Sequence, residues 1–320
     1  MVSLLRVALS IGSIIVFVFG SSVSRALAWW DGGHMQIAYM AYKHLDQPVK
    51  DKVDVLLRLN PDYPKWTAGI IDPKTAKLYA FVHAATWADD IKTKEYNYTR
   101  DKIDSPTAGQ NIGYADKNQH PYWHFKDVHF SPDGTPMPDP DPVDLVTQLN
   151  IMITALPASS GASDDVRSYD LVWILHLVGD AHQPLHGIGR FTRQIPNGDA
   201  GGNAEQVIPA NGKSMALHAY WDSTFGGYVS PYGAIFDADD KEGLASLTVN
   251  DVAAKITNPQ KWIEESAELA TQYAYAAPVS LGKNPVLLTR EYETNARNIS
   301  VSQAALAAAR LANLINNALR

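Results

Sequence analysis

The sequence predicts a mainly α-helical, single-domain protein: a bundle of helices joined by long loops, with at most a small β-hairpin. Three observations lead there. Apolar residues recur at helical spacing in one segment after another. Strand-like pieces are few and short, and fall between Gly187 and Ser214. No internal repeat or linker divides the chain.

The first 28 residues read as a secretory signal, with Arg6 as the positive start and Val7 to Gly20 as the apolar stretch. Ala26-Leu27-Ala28 supplies the small-x-small cleavage site. The apolar run falls short of the roughly 20 residues a membrane span needs. Cleavage after Ala28 leaves residues 29–320 as one catalytic domain, expected to be secreted or periplasmic and to have no membrane segment. That mature chain begins Trp29-Trp30-Asp31-Gly32-Gly33-His34.

His34 to Leu45 has helical spacing, and Val49 to Leu59 follows as a second helix that stops at Asn60-Pro61. Lys74 to Lys92 reads as a third, with Leu78, Phe81, Ala85 and Ala88 on one side. Thr93 to His120 is polar and is expected to be loop. Pro121 to Asp127 is a compact aromatic segment, and Ser131 to Pro142 is a proline-rich connector. Val143 to Leu156 is an apolar-rich helix, and Ser159 to Ser163 separates it from a central helix. Met215 to Thr224, Val249 to Ala274 (interrupted at Pro259) and Ser302 to Leu319 complete the helical set.

Acidic residues outnumber basic ones, 34 to 27, and removing Arg6 and Arg25 with the signal takes the formal charge from −7 to −9. That balance disfavours non-specific duplex binding through a basic surface. It does not exclude a phosphate substrate at a metal-centred site, where the ions supply the positive charge. Cysteine is absent, so there are no disulfides, and any metal must be held by nitrogen and oxygen ligands.

The stretch with most chemistry is His176-Leu-Val-Gly-Asp180-Ala-His182-Gln-Pro184-Leu-His186. His176 and Asp180, four apart, share one helix face. Pro184 ends or bends the helix, so His186 arrives from another direction. The apolar lead-in Leu171 to Leu175 drives the segment inward, where its polar groups need partners. Taken alone, the stretch fits either a metal site or hydrogen-bonded core histidines. Further candidates are Trp29 (through a free N-terminus), His34, Asp89, His124, His218 and Asp222. His218 and Asp222 repeat the i, i+4 geometry. Five His and three Asp side chains are too many for one ion.

Along nearly the whole mature chain these motifs resemble the zinc-dependent, single-strand-specific S1/P1 nuclease family. The matching residues are Trp29 with His34, Trp87-Ala88-Asp89, Trp123-His124-Phe125-Lys126-Asp127, His176-x3-Asp180-x5-His186, Gly201-Gly202-Asn203 and His218-x3-Asp222. The resemblance implies the helical fold of the phospholipase C/nuclease type and three zinc ions. One ion would be held by Asp89, His124, His176 and Asp180. A second would take the amine and carbonyl of Trp29 with His34 and share Asp180, and a third would take His186, His218 and Asp222.

It also implies an endonuclease that cleaves single-stranded DNA and RNA to 5′-nucleotides, with 3′-nucleotidase activity. Metal-activated water would attack phosphorus, and the P–O3′ bond would break. Asp89, Lys92 and Asp127 would act in catalysis, and Phe125 and Asp127 would bind the base by stacking and hydrogen bonding. Lys92 stands where a fungal member carries a phosphate-contacting Arg; Lys keeps the charge without the bidentate fork. Asn203 either reaches substrate or serves the Gly-Gly turn. The protein is expected to act as a monomer on single-stranded nucleic acids and 3′-nucleotides.

His182, His83 and His129 are expected to be supporting or surface groups, His44 a solvated helix residue, and His120 a loop residue. The closest rival reading is a zinc phospholipase C acting on phosphatidylcholine, which resembles this chain in its N-terminal Trp and much of its ligand set. Those enzymes have a Glu where this chain has Asp222. A zinc metalloprotease is disfavoured by the lack of His-Glu-x-x-His. A zinc site that only staples the fold would be closed to water, whereas His186, His218 and Asp222 supply three groups and leave a position open. Because the second site needs a free amine at Trp29, one extra Met before Trp29 is expected to abolish that site and with it activity. Zinc content and activity of the extended protein, beside one starting at Trp29, check this; unchanged values refute it.

Overall fold

The computed structural model describes residues 29–279 and 285–320. The expected signal, residues 1–28, lies outside the described residues. The first six helices are α1 (Asp31–Lys43), α2 (Gln47–Leu57), α3 (Tyr63–Trp66), α4 (Pro73–Ala84), α5 (Trp87–Asp90) and α6 (Leu145–Ala155). They are followed by α7 (Asp164–Asp180), α8 (Leu217–Asp222), α9 (Pro231–Ala238), α10 (Asp251–Ala254), α11 (Pro259–Leu269) and α12 (Arg290–Leu319). The mainly helical class is as the sequence predicts.

The few strands form two small sheets. In one, β1 (Val128–Phe130) runs parallel to β2 (Ile188–Arg190), with Val128 opposite Ile188. In the other the order is β4 (Met215–Ala216), β3 (Gln206–Ile208), β5 (Val286–Leu287). No described helix is long and apolar enough to cross a membrane.

Helix α7 is the axis of the molecule. The Ser163 hydroxyl caps its N-terminus by accepting from the Val166 amide, and Asp164 and Asp165 occupy the first turn, where negative charge suits the helix dipole. Every residue from Ser168 to Asp180 is buried. A helix apolar on all sides belongs inside a protein rather than on its surface. Helices α2, α5, α6 and α12 pack around it. The Trp173 ring meets Trp123 edge-on, with centroids 4.9 Å apart, and Trp87 at 6.3 Å. A second apolar cluster, with Leu185, Ile188, Val207, Leu217, Trp221 and Tyr292, fixes α8 and the small sheets beside α11 and α12.

Three helical stretches depart most from the sequence reading. Helix α1 starts at Asp31, so the Gly32-Gly33 pair lies inside it rather than before it. The expected helix from Lys74 to Lys92 breaks after Ala84, and α5 begins at Trp87. The break leaves the Ala85 carbonyl outside the helical ladder, where it accepts from His176 Nδ1 at 2.8 Å. Helix α12 begins twelve residues earlier than Ser302, through Thr294, Ile299 and Val301, which are weak helix formers. Burial of Tyr292, Ala296 and Ser300 overrides that propensity.

His120, expected as a plain loop residue, is fully buried. Its backbone is left-handed (φ 43°), its ring stacks on Trp123 at 3.6 Å, and its two nitrogens lie 2.8 Å from Asp101 and 3.1 Å from Asp116. This cluster ties the 93–120 loop to the core.

Gly32 is the point where the segment after α8 presses on α1. A Cβ there would lie 2.2 Å from the Tyr228 carbonyl oxygen and 2.3 Å from that of Gly226, both backbone atoms that cannot swing aside. Gly32→Ala is expected to destabilise the protein by about 1–3 kcal/mol through overpacking, read as a lower denaturant midpoint of the metal-free protein.

Candidate metal centre

The last turn of α7 delivers His176 and Asp180 to one side, and the chain then leaves the helix at Ala181. A short 3-10 turn at Pro184–His186 turns His186 toward the same region. His34 comes from α1, Asp89 from α5, and His124 from the 3-10 turn Pro121–His124. Both His218 and Asp222 lie on α8. All eight side chains are buried.

Their ligand atoms gather into three groups: His34, His176 and Asp180; Asp89, His124 and His176; and His186, His218 and Asp222. Trp29 is buried beside them. Its indole N–H donates to the Gly179 carbonyl at 3.0 Å, and its ring meets Phe225 edge-on. Gly179 is small by necessity, because a Cβ there would lie 2.8 Å from His34 Nδ1.

Asp180 sits at the middle. Its carboxylate is 3.0 Å from His124 Nδ1, 3.2 Å from His176 Nε2, 3.3 Å from His34 Nε2 and 4.0 Å from His186 Nδ1. His34 and His176 stack with ring centroids 3.8 Å apart.

Backbone carbonyls fix the tautomers. A carbonyl only accepts, so the His176, His186 and His218 Nδ1 atoms donate, to Ala85, His124 and Gly201 at 2.8, 2.6 and 2.7 Å. In the neutral rings Nε2 then carries a lone pair. The Nε2 atoms of His186 and His218 nevertheless face each other at 3.0 Å. Two lone pairs at that distance repel unless positive charge lies between them.

The same inference follows from unpaired atoms. His34 Nδ1 and Nε2, His124 Nε2, Asp180 Oδ1 and Asp222 Oδ2 are buried without a hydrogen-bond partner. Unpaired buried polar atoms are rare and costly, so a cluster of them fits a set of metal-binding groups better than a packed core. Burial keeps His34 and His186 below the usual imidazole range, and brings His124 and His218 down to about 3. All four are thus in the neutral form that binds metal. At His176 burial acts in the same downward sense, but the Asp180 and Asp89 carboxylates outweigh it and raise the ring to about 9. Burial pushes the Asp222 carboxyl well up, against the Gln183 amide that donates to its Oδ1 at 2.6 Å. The donor set of imidazoles and carboxylates fits divalent zinc.

A family model described as S1/P1 Nuclease matches residues 29–320. The chain belongs to the S1/P1 nuclease family. A comparison with curated proteins finds no match. In this S1/P1 nuclease, further polar and aromatic residues lie around the ligand groups. Lys92 Nζ donates to Asp89 Oδ1 at 2.5 Å, which holds that carboxylate in its charged form despite burial. Phe125 is half-buried at the edge of the main core. It lines one small cavity with Asp127 and with Pro140 and Asp141 of the proline-rich connector. Asp127 also lies against Gly189 of β2, where a Cβ would come within 3.2 Å of its carboxyl. Asn203 donates from Nδ2 to the Ala200 carbonyl at 2.8 Å, a bond that serves the Gly-Gly turn.

His182 stays outside the three groups. It donates from Nδ1 to the Val178 carbonyl and accepts from Arg310 Nη1 at 2.9 Å, tying α12 to the segment that carries the ligands. The sequence reading missed Gln183, Arg310 and the carbonyls of Ala85 and Gly201. Only Gln183 had a visible signal, through its place between two candidate ligands. If the groups hold divalent ions, stripping the protein with a chelator is expected to lower its melting temperature by several degrees. Zinc should restore it, as binding to the folded state alone requires; scanning calorimetry of stripped and reloaded protein checks this.

Proposed function

We propose that this nuclease is an exported, zinc-dependent phosphodiesterase. It cleaves single-stranded DNA and RNA to 5′-nucleotides and removes the phosphate of 3′-nucleotides. The observation that supports this reading most directly is the convergence of three His/Asp groups on and around Asp180 in a chain of the S1/P1 nuclease family. Asp89, His124, His176 and Asp180 would hold one zinc, Trp29, His34 and Asp180 a second, and His186, His218 and Asp222 a third. When bound, zinc supplies a water of lowered pKa for attack on phosphorus and positive charge for the phosphate oxygens.

The chain's own residues do the rest. Asp180 holds the imidazoles of two groups together, so the ligands are arranged before substrate arrives. Lys92 keeps Asp89 ionised and brings a cation to the edge of the site, where a phosphate needs one. Phe125 offers a ring face on which an unpaired base stacks. A base within a duplex is not free to do so, which is the physical origin of single-strand preference. Asp127 hydrogen-bonds the edge of that base.

The deciding assay measures release of acid-soluble nucleotides from single-stranded DNA and RNA and of phosphate from 3′-AMP. Release of phosphocholine from phosphatidylcholine is measured beside it. Nucleotide release by zinc-loaded protein is expected; silence on nucleic acid with phosphocholine release would replace this reading with the phospholipase one. Phe125→Ala is expected to raise KM for single strands roughly 5- to 150-fold, since base stacking contributes roughly 1–3 kcal/mol. At Asp127, burial and the neighbouring Asp199 and Asp141 charges push the carboxyl up to about 7. It is therefore neutral below that pH and an acceptor above it. KM for substrates that present a base N–H should fall as pH rises through 7, and the trend should vanish in Asp127→Asn.

A further inference from the structure

Behind the His186, His218 and Asp222 group lies a buried charged cluster, of which the roles above use only the Asp199 charge near Asp127. Arg190 ends β2, and it is 2 % exposed; Asp199 and Glu205 are exposed by 0 % and 3 %. The Arg190 guanidinium pairs with Glu205 through Nη2, and its Nε lies 3.6 Å from Asp199 Oδ2. It sits over the Tyr275 ring at 4.4 Å, and the Tyr275 hydroxyl donates to Asp199 Oδ2 at 2.7 Å. The backbone joins in: Arg190 N donates to Asp199 Oδ1 at 2.9 Å, and Asp199 N to the Arg190 carbonyl at 3.0 Å. One cation thus holds both ends of a single loop, Asp199 at its start and Glu205 at its end.

That loop is shaped for one task. Ala200, Gly201 and Gly202 are all left-handed, with φ of 51°, 60° and 82°. Such a run, with an alanine in it, persists only where the surroundings enforce it. The loop is pressed onto the ligand-bearing segment, since a Cβ at Gly201 would lie 2.4 Å from the Leu185 carbonyl oxygen. Its carbonyls then address α8. Gly201 accepts from His218 Nδ1 at 2.7 Å, Gly202 from the His218 amide at 3.4 Å, and Glu205 from the Leu217 amide at 2.9 Å.

The geometry points to Arg190 as a positioning residue for the His186, His218 and Asp222 site. By clamping Asp199 and Glu205 it holds the Gly201 carbonyl in place, and that carbonyl directs His218 Nε2 toward His186. This rests on the reading of that group as a zinc site. Groups that orient a metal ligand from behind affect affinity roughly 10- to 100-fold when removed. Lysine cannot replace arginine fully here, because an ammonium lacks the planar fork that reaches two carboxylates at once.

The test is zinc binding by the purified protein in graded chelator buffers, comparing wild type with Arg190→Gln, Arg190→Lys and His218→Ala. His218→Ala identifies the affected ion by losing it. Arg190→Gln is expected to bind that same ion roughly 10- to 100-fold more weakly while retaining the others, with Arg190→Lys between it and wild type. Wild-type binding of every ion by Arg190→Gln overturns the inference. So does equal weakening of all ions, which would make Arg190 a general support of the fold. If Arg190→Gln does not fold, Glu205→Gln is read by the same criteria. Should His218→Ala keep the full wild-type complement, the zinc assignment of that group fails, and the inference falls with it.

Discussion

A single buried carboxylate, Asp180, organises this molecule. Four imidazoles, from α1, the 120s turn, α7 and the turn after α7, lie within 4.0 Å of it. Removing a carboxylate from water costs several kcal/mol in real proteins unless opposite charge and hydrogen bonds compensate. Here the compensation is spread over segments far apart in sequence, so the contacts that hold the carboxylate also tie those segments together. The apolar body of α7 makes this burial unavoidable, because Leu171 to Leu175 pull Asp180 inward with them.

The backbone does the aiming. Three histidines owe their tautomer to a carbonyl on another segment, and each of those carbonyls is free because regular structure stops there. Ala85 lies in the gap between α4 and α5, His124 ends a 3-10 turn, and Gly201 lies in a left-handed loop. Irregular backbone at the centre of a helical protein is therefore a device for directing imidazoles. Buried arginines support it from behind: Arg310 reaches His182 and Glu265, and Arg190 reaches Asp199 and Glu205. With no cysteine in the chain, such polar ties link the bundle where a disulfide could have done so.

The helical class and the ligand candidates were legible because both leave short-range marks. Helices show apolar residues at regular spacing, and His-x3-Asp pairs show a shared helix face. The break after Ala84 was not legible: no glycine or proline stands there, and the driving partner, His176, is 91 residues away. The full length of α12 was hidden for the opposite reason, since weak helix formers at 294–302 are carried by packing. The parallel pairing of β1 with β2 joins segments sixty residues apart, and three residues per strand leave no periodic signal. His120 read as loop because its burial also depends on distant partners, Asp101 19 residues before it and the Trp173 ring of α7.

The sequence by itself determined which residues can bind metal, in what order they occur, and that a helical frame would present them, since residue type and local spacing decide those matters. Only the tertiary structure decided how they group. Asp180 became common ground because four segments fold back on it, and His176 stands in two groups because its ring stacks on His34 while facing His124. The role of Arg190 has the same origin. An arginine in a short strand is unremarkable until the fold closes a loop around its charge.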